Sequence, residues 1–161
     1  MHFVELATRE QRSVPHARPL GYHGHCGDLW IHFEERERIG ISTVTGEVVW
    51  HQEESEPDRH TELVFADGVA YCGGPALSAY DLRTGALVWR RELPGNPGRL
   101  RLREGRLYAG TKSGRIYVLD ALTGELLVSH DLGVEPVAID GLGPDRVVVG
   151  TYKAVYCLEI A

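Results

Sequence analysis

The chain is poor in several things that would point to a chemistry. It has three cysteines, Cys26, Cys72 and Cys157, an odd count at spacings that match no zinc or redox motif. Lysine is limited to Lys112 and Lys153, so arginine carries nearly all the positive charge. That bias reads as a GC-rich bacterial genome. Lys and Arg total 17 against 23 Asp and Glu, a net charge of -6 spread along the chain. A nucleic-acid-binding surface needs a basic patch, and this charge balance argues against one, so no nucleic-acid partner is expected. No run approaches the ~20 apolar residues of a membrane span. Residues 1–11 carry no basic segment followed by an apolar run, so no signal peptide is expected. These features lead to the expectation of a soluble cytoplasmic protein with free thiols and no membrane partner. Helical periodicity is not found, nor is a nucleophile elbow, a phosphate loop or a helix-borne metal motif.

What the chain does have is a repeat. Thr45-Gly46, Thr84-Gly85 and Thr123-Gly124 follow one another at intervals of 39 residues. Each pair leads into a β-rich segment, and Trp50 and Trp89 stand four residues after their glycines, with Val128 in the third copy. Between the pairs lie short strands and tight turns. The third copy reads as strands at 99–103, 106–111, 115–120 and 125–132, with Glu104-Gly105, Ser113-Gly114 and Thr123-Gly124 between them. Four antiparallel strands in about 40 residues make a propeller blade. The turn beginning at Asp81 recurs at Asp120, and its aspartate can accept hydrogen bonds from backbone N–H groups of its own turn. Ser42 occupies that position in the first copy and can do the same more weakly.

The segment from Ala79 to Leu93, AYDLRTGALVWRREL, resembles the repeat of the pyrroloquinoline-quinone-dependent dehydrogenases and their cofactor-free relatives. The resemblance runs over roughly residues 20–160. It implies that Thr-Gly and tryptophan dock one blade on the next, a role that falls on Gly46 with Trp50 and on Gly85 with Trp89. Gly124 keeps the turn, while Val128 weakens docking there. The enzymes of this family have a longer propeller chain, an adjacent cysteine pair and a calcium site. This chain has no Cys-Cys pair, so no cofactor and no catalytic residue are expected.

The expected fold is all-β: a single β-propeller domain over 1–161, with four blades of four antiparallel strands at about 18–53, 60–94, 98–133 and 135–161. The last blade lacks an outer strand, and residues 1–7 alternate well enough to supply it. Such closure hides an edge that would otherwise pair indiscriminately. A single chain can close as a four-bladed ring, or two chains can form one eight-bladed ring by lending N-terminal strands to each other. The homodimer is favoured, because four blades in one circle require about 90° between neighbours and cyclic dimers are common. A fragment of a longer chain is the third possibility.

Three groups of residues could carry function. His23, His25 and Cys26 lie on the expected inner strand, where two imidazoles and a thiolate could bind zinc or copper, or a histidine could act as a base. A polar channel lining is the plainer reading. Arg99, Arg101 and Arg103 alternate on the inner strand of the third blade and form either an anion-attracting stripe or a solvated face paired with nearby carboxylates. The run Glu34-Glu35-Arg36-Glu37-Arg38 reads as a solvated loop. The leading functional expectation is a non-enzymatic binding or scaffold module for a protein partner. Alternatives are a small-molecule or metal-binding propeller, including a lyase, centred on the inner-strand histidines, and a toxin-neutralising immunity-type binder.

Overall fold

The computed structural model describes residues 2–4, 11–13, 21–34, 36–53, 62–143 and 145–160. Its strands are short because the turn residues recur every few positions. Asp67-Gly68 has φ values of 51° and 78°, and Glu104-Gly105 has 50° and 74°. Two successive left-handed residues fit the two-residue hairpin whose twist matches its flanking strands.

The first sheet contains β3 (Tyr22–Cys26), β4 (Leu29–Phe33), β5 (Glu37–Ser42) and β6 (Val48–Glu53). The second contains β7 (Glu62–Ala66), β8 (Val69–Gly73), β9 (Ala76–Asp81) and β10 (Leu87–Glu92). The third contains β11 (Arg99–Arg103), β12 (Arg106–Gly110), β13 (Arg115–Asp120) and β14 (Leu126–Asp131). The fourth has only β15 (Pro136–Gly141), β16 (Arg146–Thr151) and β17 (Val155–Glu159) among the described residues. All pairings are antiparallel between consecutive strands.

Strand alternation gives each sheet two apolar faces, and the sheets stack in chain order. Ile31 and Phe33 meet Ala70, Cys72, Tyr80 and Leu82 at the first junction. Tyr71, Leu77 and Ala79 meet Leu100, Leu107, Ala109, Tyr117 and Leu119 at the second. Tyr108, Ile116 and Val118 meet Ile139, Val147 and Val149 at the third.

The expected closure is corrected here. The N-terminal β1 (His2–Val4) pairs with β2 (Gln11–Ser13), in the register His2↔Ser13, Phe3↔Arg12 and Val4↔Gln11. It therefore does not supply the outer strand of the fourth sheet, which ends at β17 among the described residues. The first and fourth sheets share no packed face among these residues. Among the described residues there is no closure into a four-bladed ring and no free strand to lend to an eight-bladed homodimer, because His2–Val4 is paired with β2. The arrangement is an open succession of sheets, and it defines no homodimer interface. The rest of the segment 1–7 lies outside the described residues.

Candidate functional site

The Thr-Gly turns are built by side-chain hydrogen bonds to backbone. Asp81 Oδ1 accepts from the N–H groups of Arg83 and Thr84, both at 2.9 Å, and from Thr84 Oγ1 at 3.0 Å. Asp120 Oδ1 accepts from Thr123 N–H at 2.8 Å and Thr123 Oγ1 at 2.9 Å. Those donors favour the carboxylate and hold Asp120 below its ordinary pKa. Ser42 Oγ takes the same place with longer bonds, 3.2 Å from Val44 N–H and 3.1 Å from Thr45 N–H.

The turns receive tryptophans from the preceding sheet. Trp50 Nε1 donates to Leu82 O at 3.1 Å, and Trp89 Nε1 donates to Ala121 O at 2.9 Å. A Cβ on Gly85 would lie 2.5 Å from Trp50 Cε3, and one on Gly124 would lie 2.6 Å from Trp89 Cδ2. Both glycines also have left-handed φ, at 72° and 69°. Trp50 thus rests on the glycine one repeat ahead, Gly85, and Trp89 rests on Gly124. Gly46, at φ 74°, bonds its N–H to Ser42 O within its own turn.

Strand alternation separates the residues grouped as a possible metal site. His23 and His25 are exposed on one face of β3, directly opposite His32 and Trp30 of β4. Cys26 points to the other face and packs at the junction with the second sheet. Among the described residues no three His, Cys, Asp or Glu side chains are grouped to hold a metal ion. What forms instead is an aromatic row. His23, Trp30 and His32 have ring centroids 5.0 to 5.6 Å apart. His32 Nδ1 and His23 Nδ1 share one hydrogen bond of 3.2 Å.

His32 is buried, and its Nε2 has no hydrogen-bond partner among the described residues. Burial first, and His23 second, lower its pKa from 6.5, while Glu37 pulls the other way. A folded pKa below the unfolded one means that unfolding takes up a proton. Stability is then full above pH 6.5 and declines as pH falls through 6.5 towards the folded value. We expect a slope of at most about 1.4 kcal/mol per pH unit in that window, the limit for one proton. Urea midpoints between pH 5 and 7 measure it. His32→Gln removes the titrating ring and should flatten the slope; an unchanged slope would assign it to another group.

Arg99, Arg101 and Arg103 share the exposed face of β11. Arg103 lies 3.8 Å from Asp140 of the fourth sheet and 3.6 Å from Glu104. Exposed pairs of this kind contribute little to stability. Arg99 also lines a cavity of about 470 Å³ at the inner ends of the later sheets, beside Glu62, Thr111, Lys112 and Glu135. Its two cations face two carboxylates, so it selects no single sign of ligand.

The outer strands carry a feature the sequence reading missed. In the first three sheets the fourth strand has a β-bulge at one equivalent place. Register skips Val49 between Val48 and Trp50, Val88 between Leu87 and Trp89, and Leu127 between Leu126 and Val128. A bulge re-aims the side chain of its extra residue. Val49, Val88 and Leu127 remain 54%, 49% and 42% exposed, and their neighbours Val48, Leu87 and Leu126 are exposed too. The result is a row of apolar pairs repeated along the outer strands. Two adjacent apolar residues before the tryptophan position break strict alternation, and that was the available signal.

Comparison with known proteins agrees with this geometry. The family model described as outer membrane protein assembly factor BamB matches residues 73–158. Among solved structures, the computationally designed Ika4 protein superposes with a TM-score of 0.66 at 21% identity, covering 86% of this chain and 89% of that one. BamB from Moraxella catarrhalis gives 0.66 at 22% identity, covering 86% of this chain and 44% of that one. This chain thus spans less than half of that BamB. The designed Ika8 protein gives 0.51 at 18% identity, covering 86% and 57%. A search of the curated proteins found no match.

The expectations of a cytoplasmic location and of no membrane context are withdrawn. They rested on free thiols and on missing N-terminal signals, whereas the matched family is described by outer-membrane assembly. Cys26, Cys72 and Cys157 lie on three different sheets and form no disulfide with one another, but three separated cysteines do not name a compartment. Four-stranded antiparallel sheets, the recurring Thr-Gly turn, tryptophans seated on the next turn and the match over 73–158 make this chain a member of the quinoprotein-type repeat family described as outer membrane protein assembly factor BamB.

Proposed function

We propose that this protein is a non-enzymatic scaffold module that binds a protein partner along the outer strands of its first three sheets. The observation that carries this reading is the exposed apolar row at Val49, Val88 and Leu127 with its neighbours. Solvent-facing apolar groups repeated in register are characteristic of interaction surfaces. Repeat arrays bind partners through such extended surfaces. The family description supports a role in assembling other proteins, with an outer-membrane protein or its assembly machinery as the partner class.

The test is a triple substitution, Val49→Lys, Val88→Lys and Leu127→Lys. These side chains are already half in solvent, so each should change stability by less than about 0.5 kcal/mol. Affinity purification from the native host should recover a protein that the triple variant loses, with far-UV circular dichroism unchanged. If a folded triple variant retains every partner of the wild type, the outer row is not the binding surface.

A further inference from the structure

The cavity at the inner ends of the later sheets is built from three of them. Glu62 opens β7 and Arg99 opens β11, paired with Gly73 and Gly110 at the ends of β8 and β12. Glu135 stands just before β15, and Lys112 lies in the turn between β12 and β13. All four line one space of about 470 Å³, together with Asn96 and Thr111. At about 30 Å³ per water that is room for roughly fifteen waters. The volume falls within the ~300–1,000 Å³ range of small-ligand sites.

The wall of this cavity is set by the fold. Tyr117 OH donates to Pro94 O at 2.8 Å, and Gly98 N–H donates to Gly110 O at 2.9 Å. Between these anchors the chain turns through Gly95 and Asn96, at φ 90° and 51°. A Cβ on Gly95 would lie 3.1 Å from Ser113 Oγ, and one on Gly73 would lie 2.6 Å from Pro97 O, so the loop is seated on both the second and the third sheet. Thr111 Oγ1 and Ser113 Oγ share a bond of 2.9 Å, and Arg115 N–H donates to Thr111 Oγ1 at 3.0 Å. A wall held in this way lowers the ordering cost of binding. The charges on it do not neutralise one another. Arg103, on the same face of β11, lies near Asp140 and Glu104. Among the described residues Glu62, Arg99, Lys112 and Glu135 make no ion pair. Two cations and two carboxylates held apart around one space match a guest that carries both signs.

We propose that this cavity binds a short zwitterionic peptide with free termini. The peptide carboxylate pairs with Arg99 and Lys112, and the peptide ammonium group pairs with Glu62 and Glu135. Asn96 and Thr111 lie beside the peptide unit between them. A ligand of one sign leaves half of the charges desolvated without a partner, which disfavours it. Ion pairs in so open a site are weak, so a dissociation constant of about 1 mM is expected. The site is separate from the outer apolar row and needs no protein partner.

The probe is dialanine, titrated into the full chain and followed by amide NMR. Shifts should concentrate at Gly95, Asn96, Gly110 and Thr111. N-acetyl-dialanine keeps only the carboxylate and dialanine amide keeps only the ammonium group, and each should bind at least about fivefold more weakly. Arg99→Gln combined with Lys112→Gln should weaken dialanine binding to a similar degree. Arg101→Gln, exposed on the same strand but outside the cavity, should leave it unchanged. The blocked peptides test the wild-type chain, so the outcome does not depend on any variant folding. The proposal is overturned if dialanine at about 10 mM shifts none of these amides. It is also overturned if either blocked peptide binds as tightly as dialanine, or if Arg101→Gln weakens binding as much as the double substitution. The triple variant of the outer row should bind dialanine as the wild type does. Failure here therefore leaves the outer-row reading standing, and loss of partners by the triple variant leaves this inference standing.

Discussion

Trp89→Ala is expected to cost about 3 kcal/mol of unfolding free energy, near the lower end for deleting a large aromatic because the ring is half-buried. Two losses add. The indole leaves its seat on Gly124, and Ala121 O loses a 2.9 Å donor. The approach from the other side should be equally sensitive. Gly124→Val would place a branched side chain where Cβ alone lies 2.6 Å from the indole, at a φ of 69° that valine resists. We expect a loss of about 2–4 kcal/mol there. Part of that cost belongs to the contact and part to the backbone, and a double-mutant cycle separates them. Gly124→Ala should be milder by about 1 kcal/mol in a Trp89→Ala background, since the clash is gone while the strained φ remains. Val128, the counterpart of Trp89 in the third sheet, has no indole to donate, so Val128→Ala should cost about 1 kcal/mol. Urea denaturation of the five variants provides the measurement. Additive costs for Trp89→Ala and Gly124→Ala would show that ring and turn are not coupled.

The strands and turns were legible in the sequence because they depend on local chemistry. A left-handed glycine sets many of the reversals, as at Gly68, Gly85, Gly105 and Gly124, and Asp81, Asp120 and Ser42 bond within four residues of themselves. Features that depend on a distant neighbour were not legible. The alternation of His2–Val4 suits any antiparallel partner, and nothing local selects β2 over the fourth sheet. The 39-residue spacing shows Trp50 close to its own Gly46, yet the ring reaches the glycine of the following repeat. The charged run from Glu34 to Arg38 read as a solvated loop. Glu37 instead begins β5, and Arg38 is buried with its guanidinium 4.0 Å from the centre of the Tyr80 ring. That ring belongs to the second sheet, and a cation over an aromatic face tolerates burial that a charge alone would not. For the same reason Cys26 left the histidines: alternation was known, but which face met the second sheet was not.

Phe33→Ala tests what the open arrangement implies for cooperativity. Phe33 is fully buried at the first junction, 6.0 Å from the Phe65 ring edge-on and 5.8 Å from Tyr80. Removing it should cost about 3–5 kcal/mol at that junction. In a closed ring each sheet has two neighbours and such damage would be shared around the circle. Among the described residues the first sheet meets the other repeat sheets only through the second, so these sheets behave as a linear array with nearest-neighbour coupling. The loss should therefore fall on one end. Amide exchange should speed up strongly in β4 and β5, which lose the contact, and less in β8 and β9, which still rest on Leu100, Leu107 and Leu119. Protection in β12, β13 and β16 should change little, since the third junction around Tyr108, Val118 and Val147 is untouched. A uniform loss of protection in all four sheets would overturn this picture, because it would make the four sheets one cooperative unit despite their open order.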